Sequence, residues 1–386
     1  LKNYNIGLIG AGFMAKAHSL AYATMPMFFW PAPGIPIRKS ICDVSIDIAK
    51  DAAQKMGYEK FTDSWKDIVS DPDIDIVDIC TPNNIHAEIA IAAAKNGKHV
   101  FCEKPIAMTA QEAKDMLDAV QKAGVKHMLA FNYRRTPAVA LAKDIITKGE
   151  IGEIQSFRGM YFQDWSASPE STLSWRFQKE ICGTGALGDI GTHVIDMAQY
   201  LVGDIDMVSG FLKTYIKERP LQEAGQDKLG ALQGGNKTGA VTVDDETAFS
   251  MRFKNGALGH IEASRNAWGR NNYIAFEIHG SAGSIFFNYE RRDELQLCYA
   301  TDPQDRRGFK TIYTGPNHAY GELWPIAALG IGYSETKIAE CYDLIKAIAQ
   351  DEEATPNFNE GYKIALVCDA VVKSDKQNGA WIFTGV

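Results

Sequence analysis

The stretch from Asn5 to Ala15 constrains the fold of this chain more than any other. Asn5-Ile-Gly-Leu-Ile-Gly10 reads as a short buried strand, and a helix comes after it through about Ala23. Between them lies Gly10-Ala-Gly12-Phe-Met-Ala15, a G-x-G-x-x-A spacing that the dinucleotide fingerprint permits. Gly10 would make the tight turn, Gly12 would let the backbone approach a pyrophosphate, and Ala15 would allow close helix–strand packing. The start of the helix would offer its amides to the phosphates. Glycine turns are common, so the weight comes from the position after a buried strand and before a helix.

The next hundred residues keep the same alternation. Pro36 to Asp43 is a strand ending in an acid, where a carboxylate would hydrogen-bond a ribose 2′-hydroxyl and repel a 2′-phosphate, favouring NAD over NADP. Asp43 stands further from the glycines than usual, and the extra length lies in Met25 to Gly34, an apolar, proline-rich loop. This much apolar surface belongs against the domain itself, against a second subunit, or in a wall near the cofactor. Asp73 to Pro82 is a strand, Asn83 to Asn96 a helix, and Lys98 to Cys102 a strand running into Glu103-Lys104-Pro105. Thr109-Ala-Gln-Glu112 is a capping box opening a helix to Gly124, and Val125 to Asn132 is a further strand. Alternation of this kind means a doubly wound parallel α/β sheet, whose ligands sit beyond the carboxyl ends of the strands. Thr81-Pro82-Asn83, Glu103-Lys104-Pro105 and Asn132-Tyr133-Arg134 all fall at those ends.

After a helix from Pro137 the texture changes. Glu153 to Asp164 reads as a long strand, and short strands continue to Tyr313, with an Asn255-Gly256 hairpin signal. These suggest an antiparallel sheet. Gly225 to Gly239 reads as a polar, glycine-rich loop, and two helices close the chain. The expected domains are 1–132 and 133–386.

Within the second domain, Gly183-Thr-Gly-Ala-Leu-Gly-Asp189-Ile-Gly-Thr-His193-Val-Ile-Asp196 leads a glycine-rich turn into an apolar helix. Residues three and four apart are neighbours on a helix, so Asp189, His193 and Asp196 share a face. A carboxylate beside an imidazole orients the ring and raises its basicity, as a proton-transferring histidine requires. A capped helix with a hydrogen-bonded core histidine is the plainer alternative.

Composition removes other classes. The 386 residues suit two domains, and the formal charge of −8 comes without a basic block, which argues against nucleic acid. The seven cysteines stand singly, without a C-x-x-C pair, which argues against a disulfide framework or a zinc site. No metal is expected. No apolar run would span a bilayer and no signal-like segment opens the sequence, so a cytoplasmic location is expected.

Taken together, Gly10-Ala-Gly12-Phe-Met-Ala15, Glu103-Lys104-Pro105 and the D-x-G-x-H core of Gly183 to Asp196 resemble the Gfo/Idh/MocA oxidoreductase family along essentially the whole chain. Within it, Ala17 to Tyr22, Met25 to Pro33, Phe131 to Pro137, Ser174 to Lys179 and Arg270 to Tyr273 resemble members acting on anhydrosugars. The resemblance implies an N-terminal Rossmann domain and a C-terminal α/β domain with a large open, mostly antiparallel sheet, in a homodimer or homotetramer. It implies that Lys104, Asp189 and His193 form the catalytic group and that Lys104-Pro105 is often cis. It places Lys104 beside the nicotinamide, with Trp175 and Arg176 touching the same half of the cofactor. Cofactor contacts are thus expected at Gly10, Gly12, Phe13, Met14, Asp43, Thr81, Pro82, Asn83, His86, Glu103, Lys104, Trp175 and Arg176. Asn132, Tyr133 and Arg134 would line the sugar pocket with Lys104, Asp189 and His193.

The expected reaction is oxidation of a secondary hydroxyl on a cyclic sugar or anhydrosugar, with C3 favoured and hydride passing to NAD. Another sugar or inositol dehydrogenase of the family, a glycosidase using NAD without net redox, and a cofactor-sensing regulator are the rivals. His18 and His86 read as surface or capping groups, and Glu103 as a residue that shapes its turn or pairs locally.

Overall fold

The computed structural model describes residues 1–222, 234–327 and 329–386. The chain divides into two compact units, one formed by residues 1–136 and 315–362, the other by residues 137–314 and 363–386. A single boundary near residue 132 did not anticipate that the segment 315–362 returns to the first unit.

The first unit is built on six parallel strands: β1 (Asn3–Ile9), β2 (Ile35–Cys42), β3 (Lys60–Thr62), β4 (Ile76–Ile79), β5 (His99–Cys102) and β6 (His127–Leu129). Their order, β3-β2-β1-β4-β5-β6, is that of a doubly wound dinucleotide-binding sheet. Five helices alternate with them: α1 (Phe13–Phe28), α2 (Ile46–Met56), α3 (Trp65–Ser70), α4 (His86–Lys95) and α5 (Ala110–Ala123). Local signals set their ends. The Thr109 side chain accepts from the Glu112 N–H at 3.2 Å, and α5 stops at Gly124 with φ 68°. The Glu112 carboxylate reaches the Met108 N–H at 3.0 Å, so the expected box closes one residue early.

Two expectations give way to the structure. Helix α1 runs to Phe28 instead of ending near Ala23, so much of the expected Met25–Gly34 loop is helical. Its apolar residues face the returning segment: Phe29 stacks on Tyr342 with ring centroids 4.1 Å apart, and Phe28 meets Trp324 edge-on at 5.5 Å. Met25, Phe29 and Ala32 are buried in a core shared with Leu344 and Ile345. Each large side chain so buried contributes about 1.5–3 kcal/mol. Secondly, Asn132–Arg135 is a 3₁₀ turn rather than a strand end.

In the second unit, β7 (Ile154–Phe162), β8 (Ile205–Lys213), β9 (Glu218–Gln222) and β10 (Gly234–Ala240) are followed by β11 (Glu246–Phe253), β12 (Leu258–Ser264) and β13 (Tyr273–Gly280). Then come β14 (Gly283–Asn288), β15 (Glu294–Tyr299), β16 (Lys310–Tyr313) and β17 (Ile382–Phe383). Nine of them form one sheet, β16-β15-β14-β13-β7-β12-β11-β8-β17. Only its β7–β12 pair is parallel. The Asn255-Gly256 turn joins β11 to β12 as expected, with Gly256 at φ 91°. Of the expected Gly225–Gly239 loop, residues 225–233 lie outside the described residues, and the remainder is in β10, paired with β9. Among the described residues, no helix is long and apolar enough to cross a membrane.

Candidate active site

The glycine turn after β1 has the geometry that its sequence demands. Gly10 has φ 96°, and a Cβ there would lie 2.6 Å from the Cys80 carbonyl oxygen. Only glycine suits both conditions. At Gly12 a Cβ would meet nothing within 4 Å, so that glycine leaves open space instead of serving internal packing. No side chain caps the start of α1, so its first amides stay available. Asp43, just past β2, is pinned beside this turn: its carboxylate accepts the Ala11 N–H at 3.0 Å and the Ser45 N–H at 3.2 Å. An open cradle, free helix amides and a carboxylate at the end of β2 fit the pyrophosphate and ribose of a dinucleotide. Phe13 is exposed and Met14 half-buried at the start of the helix, while Ala15 is buried against the sheet.

The ends of β4 and β5 carry the next residues. The Lys104-Pro105 peptide bond is cis. Glu103 accepts the Lys104 N–H through Oε2 at 3.1 Å. Its Oε1 faces His18 Nε2 at 3.1 Å and accepts from Lys337 Nζ at 3.0 Å. On the other side of the ring, His18 Nδ1 lies 2.9 Å from Asp78 Oδ2, which also accepts the Tyr22 hydroxyl at 2.8 Å. Lys337 Nζ donates to Glu340 Oε2 at 3.0 Å. These side chains are almost wholly buried. Burial and the Lys337 ammonium push the His18 imidazole down, but Asp78 and Glu103 outweigh them and lift it to about 9. Burial would likewise raise the Glu103 carboxyl, yet Lys337 and His18 hold it well below the usual carboxylate range. His18 is therefore a core residue held between two carboxylates, not the surface or capping group its sequence context suggested. Lys337 and Glu340 had no signal beyond an i,i+3 charge pair, which ordinarily marks a solvated helix face.

His86 is also buried, and burial lowers its pKa. Its ring nitrogens lie 3.0 Å from the Thr81 and Pro105 carbonyl oxygens. This ties the Thr81-Pro82-Asn83 turn to the residues after Lys104, so His86, expected to contact cofactor, acts on the loops around it. Asn132 and Arg134, expected to line the sugar pocket, each place one side-chain nitrogen on an internal partner. Asn132 Nδ2 donates to the Thr336 hydroxyl at 2.8 Å, and Arg134 pairs with Glu360 at 2.7 Å. Tyr133 is buried with its ring edge-on to Tyr333 at 6.4 Å.

In the second unit, the Gly183–Asp196 stretch is not a regular α-helix. Leu187–Gly191 form a π turn, and the α-helix runs from Thr192 to Leu201. Single π turns within helices recur at functional sites. Asp189 lies on the π turn, and His193 and Asp196 on the α-helix. The glycine-rich entry serves Asp244: its carboxylate accepts the Gly185 N–H at 2.6 Å and the Leu187 N–H at 2.8 Å. A Cβ on Gly185 would lie 1.8 Å from the Asp244 carbonyl oxygen. Arg265, fully buried, brings Nη1 to 3.4 Å from Asp189 Oδ2 and donates to the Arg176 and Asp244 carbonyls. His193 is buried, with the Tyr161 ring edge-on at 5.8 Å. Trp175 and Arg176 stand side by side, the guanidinium 4.3 Å from the indole centroid. Neither Asp244 nor Arg265 was marked by the sequence.

Among the described residues, His18, Asp78 and Cys80 are grouped closely enough to hold a metal ion. That space is already served by hydrogen bonds, and Lys337 Nζ lies 3.1 Å from the same imidazole, so its chemistry is that of a charge network.

Residues 4–131 match the oxidoreductase family with an NAD-binding Rossmann fold, and residues 139–286 match the GFO/IDH/MocA C-terminal domain. The chain therefore belongs to the Gfo/Idh/MocA oxidoreductases, and it is an NAD-dependent enzyme of that family. It is 61% identical over 384 residues to levoglucosan dehydrogenase of Pseudarthrobacter phenanthrenivorans, covering 99% of this chain and 98% of that one. A solved levoglucosan dehydrogenase in complex with NADH and levoglucosan is 60% identical, with a TM-score of 0.93 over 99% of both chains. Another, with NADH and L-sorbose, is 59% identical with a TM-score of 0.95, covering 100% of this chain and 99% of that one.

Proposed function

We propose that this protein is an NAD-dependent levoglucosan dehydrogenase, oxidising the C3 hydroxyl of the anhydrosugar to a ketone. The observation that carries the reading is the 61% identity to a levoglucosan dehydrogenase over 99% of the chain, with Lys104, Asp189 and His193 in their motifs. Bound NAD⁺ would supply the acceptor for the carbon-bound hydrogen and its electron pair. Gly10, Gly12 and the first amides of α1 hold the pyrophosphate, with Phe13 and Met14 alongside, and Asp43 holds the ribose. Thr81, Pro82, Asn83 and Glu103 shape the nicotinamide side, together with Trp175 and Arg176.

His193 accepts the proton of the reacting hydroxyl, a task suited to an imidazole. The C–O bond becomes a carbonyl as the C–H bond breaks. Lys104 stabilises the negative charge that develops on that oxygen. Asp189, anchored by Arg265, binds a neighbouring hydroxyl or orients the imidazole. Tyr133 contributes a wall to the sugar site, and Asn132 and Arg134 hold that wall from behind. The active species is a homodimer or homotetramer in the cytoplasm.

A panel of levoglucosan, myo-inositol and free aldoses with NAD⁺ and NADP⁺ tests the proposal. Levoglucosan with NAD⁺ should give the highest kcat/KM for NADH formation, with a 3-keto product by NMR. Turnover restricted to an inositol would overturn the substrate while leaving the family intact. Glycoside cleavage without net NADH would replace the reaction itself.

A further inference from the structure

The buried charges behind Glu103 take no direct part in the transfer of hydride or proton. Three carboxyl groups, Asp78, Glu103 and Glu340, surround the His18 imidazole and the Lys337 amine, all almost wholly buried. Desolvating such groups is expensive, and charge networks rarely improve stability over apolar packing. Their arrangement, however, is directional. Glu103 uses Oε1 for both cations and turns Oε2 onto the Lys104 N–H. A carboxylate held at one oxygen by two donors cannot swing without leaving a buried charge unpaired. One donor comes from α1, which begins at the glycine turn, and the other from the helix Tyr333–Gln350 of the returning segment.

We propose that Lys337, with His18, is a positioning residue that fixes Glu103 and, through it, the backbone of Lys104. The inference rests on Lys104 stabilising the reacting oxygen in catalysis. Lys337 supplies the charge that keeps Glu103 ionised and aimed, and His18 links that carboxylate to the helix beginning at the glycine cradle. The groups facing the pair are Tyr22 on α1, Asp78 on β4, Cys80 after it, Glu103 after β5, and Tyr333 and Glu340 on the returning helix.

Lys337→Met, Lys337→Arg and the double variant K337M/E340Q test it. The single methionine variant strands Glu340 and is expected to unfold at lower temperature. The double variant removes that stranded carboxylate and should regain most of the lost stability. In the double variant kcat should still fall on the order of 10- to 100-fold, the scale of a misplaced catalytic group. NADH affinity, read by fluorescence titration, should change little, and Lys337→Arg should recover part of kcat. In the protein without cofactor, hydrogen exchange at the Lys104 amide should accelerate in K337M/E340Q.

Where Lys104→Ala is impaired, a folded double variant with native kcat overturns the proposal, whether or not the amide exchanges faster. So does a loss of kcat with native exchange at Lys104. Lys104→Ala is measured alongside. Should it turn over normally, the catalytic reading of Lys104 falls, while the exchange result still decides whether Lys337 fixes that loop.

Discussion

Lys104 and Asp189 are held in place by opposite means. Behind Lys104 stand side-chain charges drawn from distant parts of the chain, with His18 and Lys337 separated by 319 residues. Behind Asp189 the backbone itself is gripped: Asp244 takes two amides of the entering turn, and Arg265 spans two carbonyls and the Asp189 carboxylate. The first arrangement depends on ionisation and responds to pH. The second depends on close approach of main chain and responds to any added atom. Either kind of support, buried side-chain charge or close-packed main chain, can hold a side chain in place.

The largest effects should come from the reacting groups, where the comparison disappears because both units lose function alike. Lys104→Ala and His193→Ala should each lower kcat about 10²- to 10⁴-fold in NADH-formation assays. The double variant should lose far less than the product of the two, because groups that act as a unit are not additive. Near-native turnover in either single variant would remove that assignment.

Next in size is the grip on the glycine turn. Gly185→Ala places a methyl against the Asp244 carbonyl, and Asp244→Asn replaces one of the two acceptors by a donor. Each should destabilise the protein by about 1–3 kcal/mol in denaturant titrations. Neither should alter how stability varies between neutral and alkaline pH. A pH-dependent difference between Asp244→Asn and the parent over that range would blur the contrast.

That pH dependence belongs to the charge network. The His18 pKa is raised in the folded state to about 9, from an ordinary value of 6.5. Its contribution is therefore fully present below pH 6.5 and is lost as pH rises through about 9. Subtracting the stability–pH curve of His18→Gln from that of the parent should reveal a decline on the order of 3 kcal/mol across that window. A flat difference would show that His18 is neutral in the fold. Nitrogen NMR provides a direct check, since both ring nitrogens should be protonated at neutral pH.

The smallest effect expected is at Asp43. Asp43→Asn should raise KM for NAD⁺ about tenfold, the scale of one hydrogen bond to a charged group, and narrow the preference over NADP⁺. An unchanged cofactor preference would separate Asp43 from ribose recognition.

Much of this molecule was legible in order along the chain. The strand–glycine–helix unit, the alternation through β6, the Asn255-Gly256 hairpin and the Thr109 cap are local, and local sequence decides them through backbone sterics and periodicity. Glu103-Lys104-Pro105 and the Asp189–His193 helix were legible as motifs for the same reason: their chemistry and their spacing lie within a few residues. The length of α1 was misread because Pro26 and the run of aromatics look like a loop until Trp324 and Tyr342 cover them. The π turn at Asp189 was missed because nothing in a glycine-rich helix start distinguishes i→i+5 from i→i+4 bonding.

By itself, then, the sequence determined most of the strands and helices, the open glycine turn, and the motifs that hold the candidate residues. Tertiary structure alone decided which charges support them. His18 and Glu103 lie 85 residues apart, and Asp244 meets Gly185 across 59. Pairings over such separations carry no local pattern. They are enforced because a buried polar group without a partner is costly, and that cost arises only when the whole chain has folded.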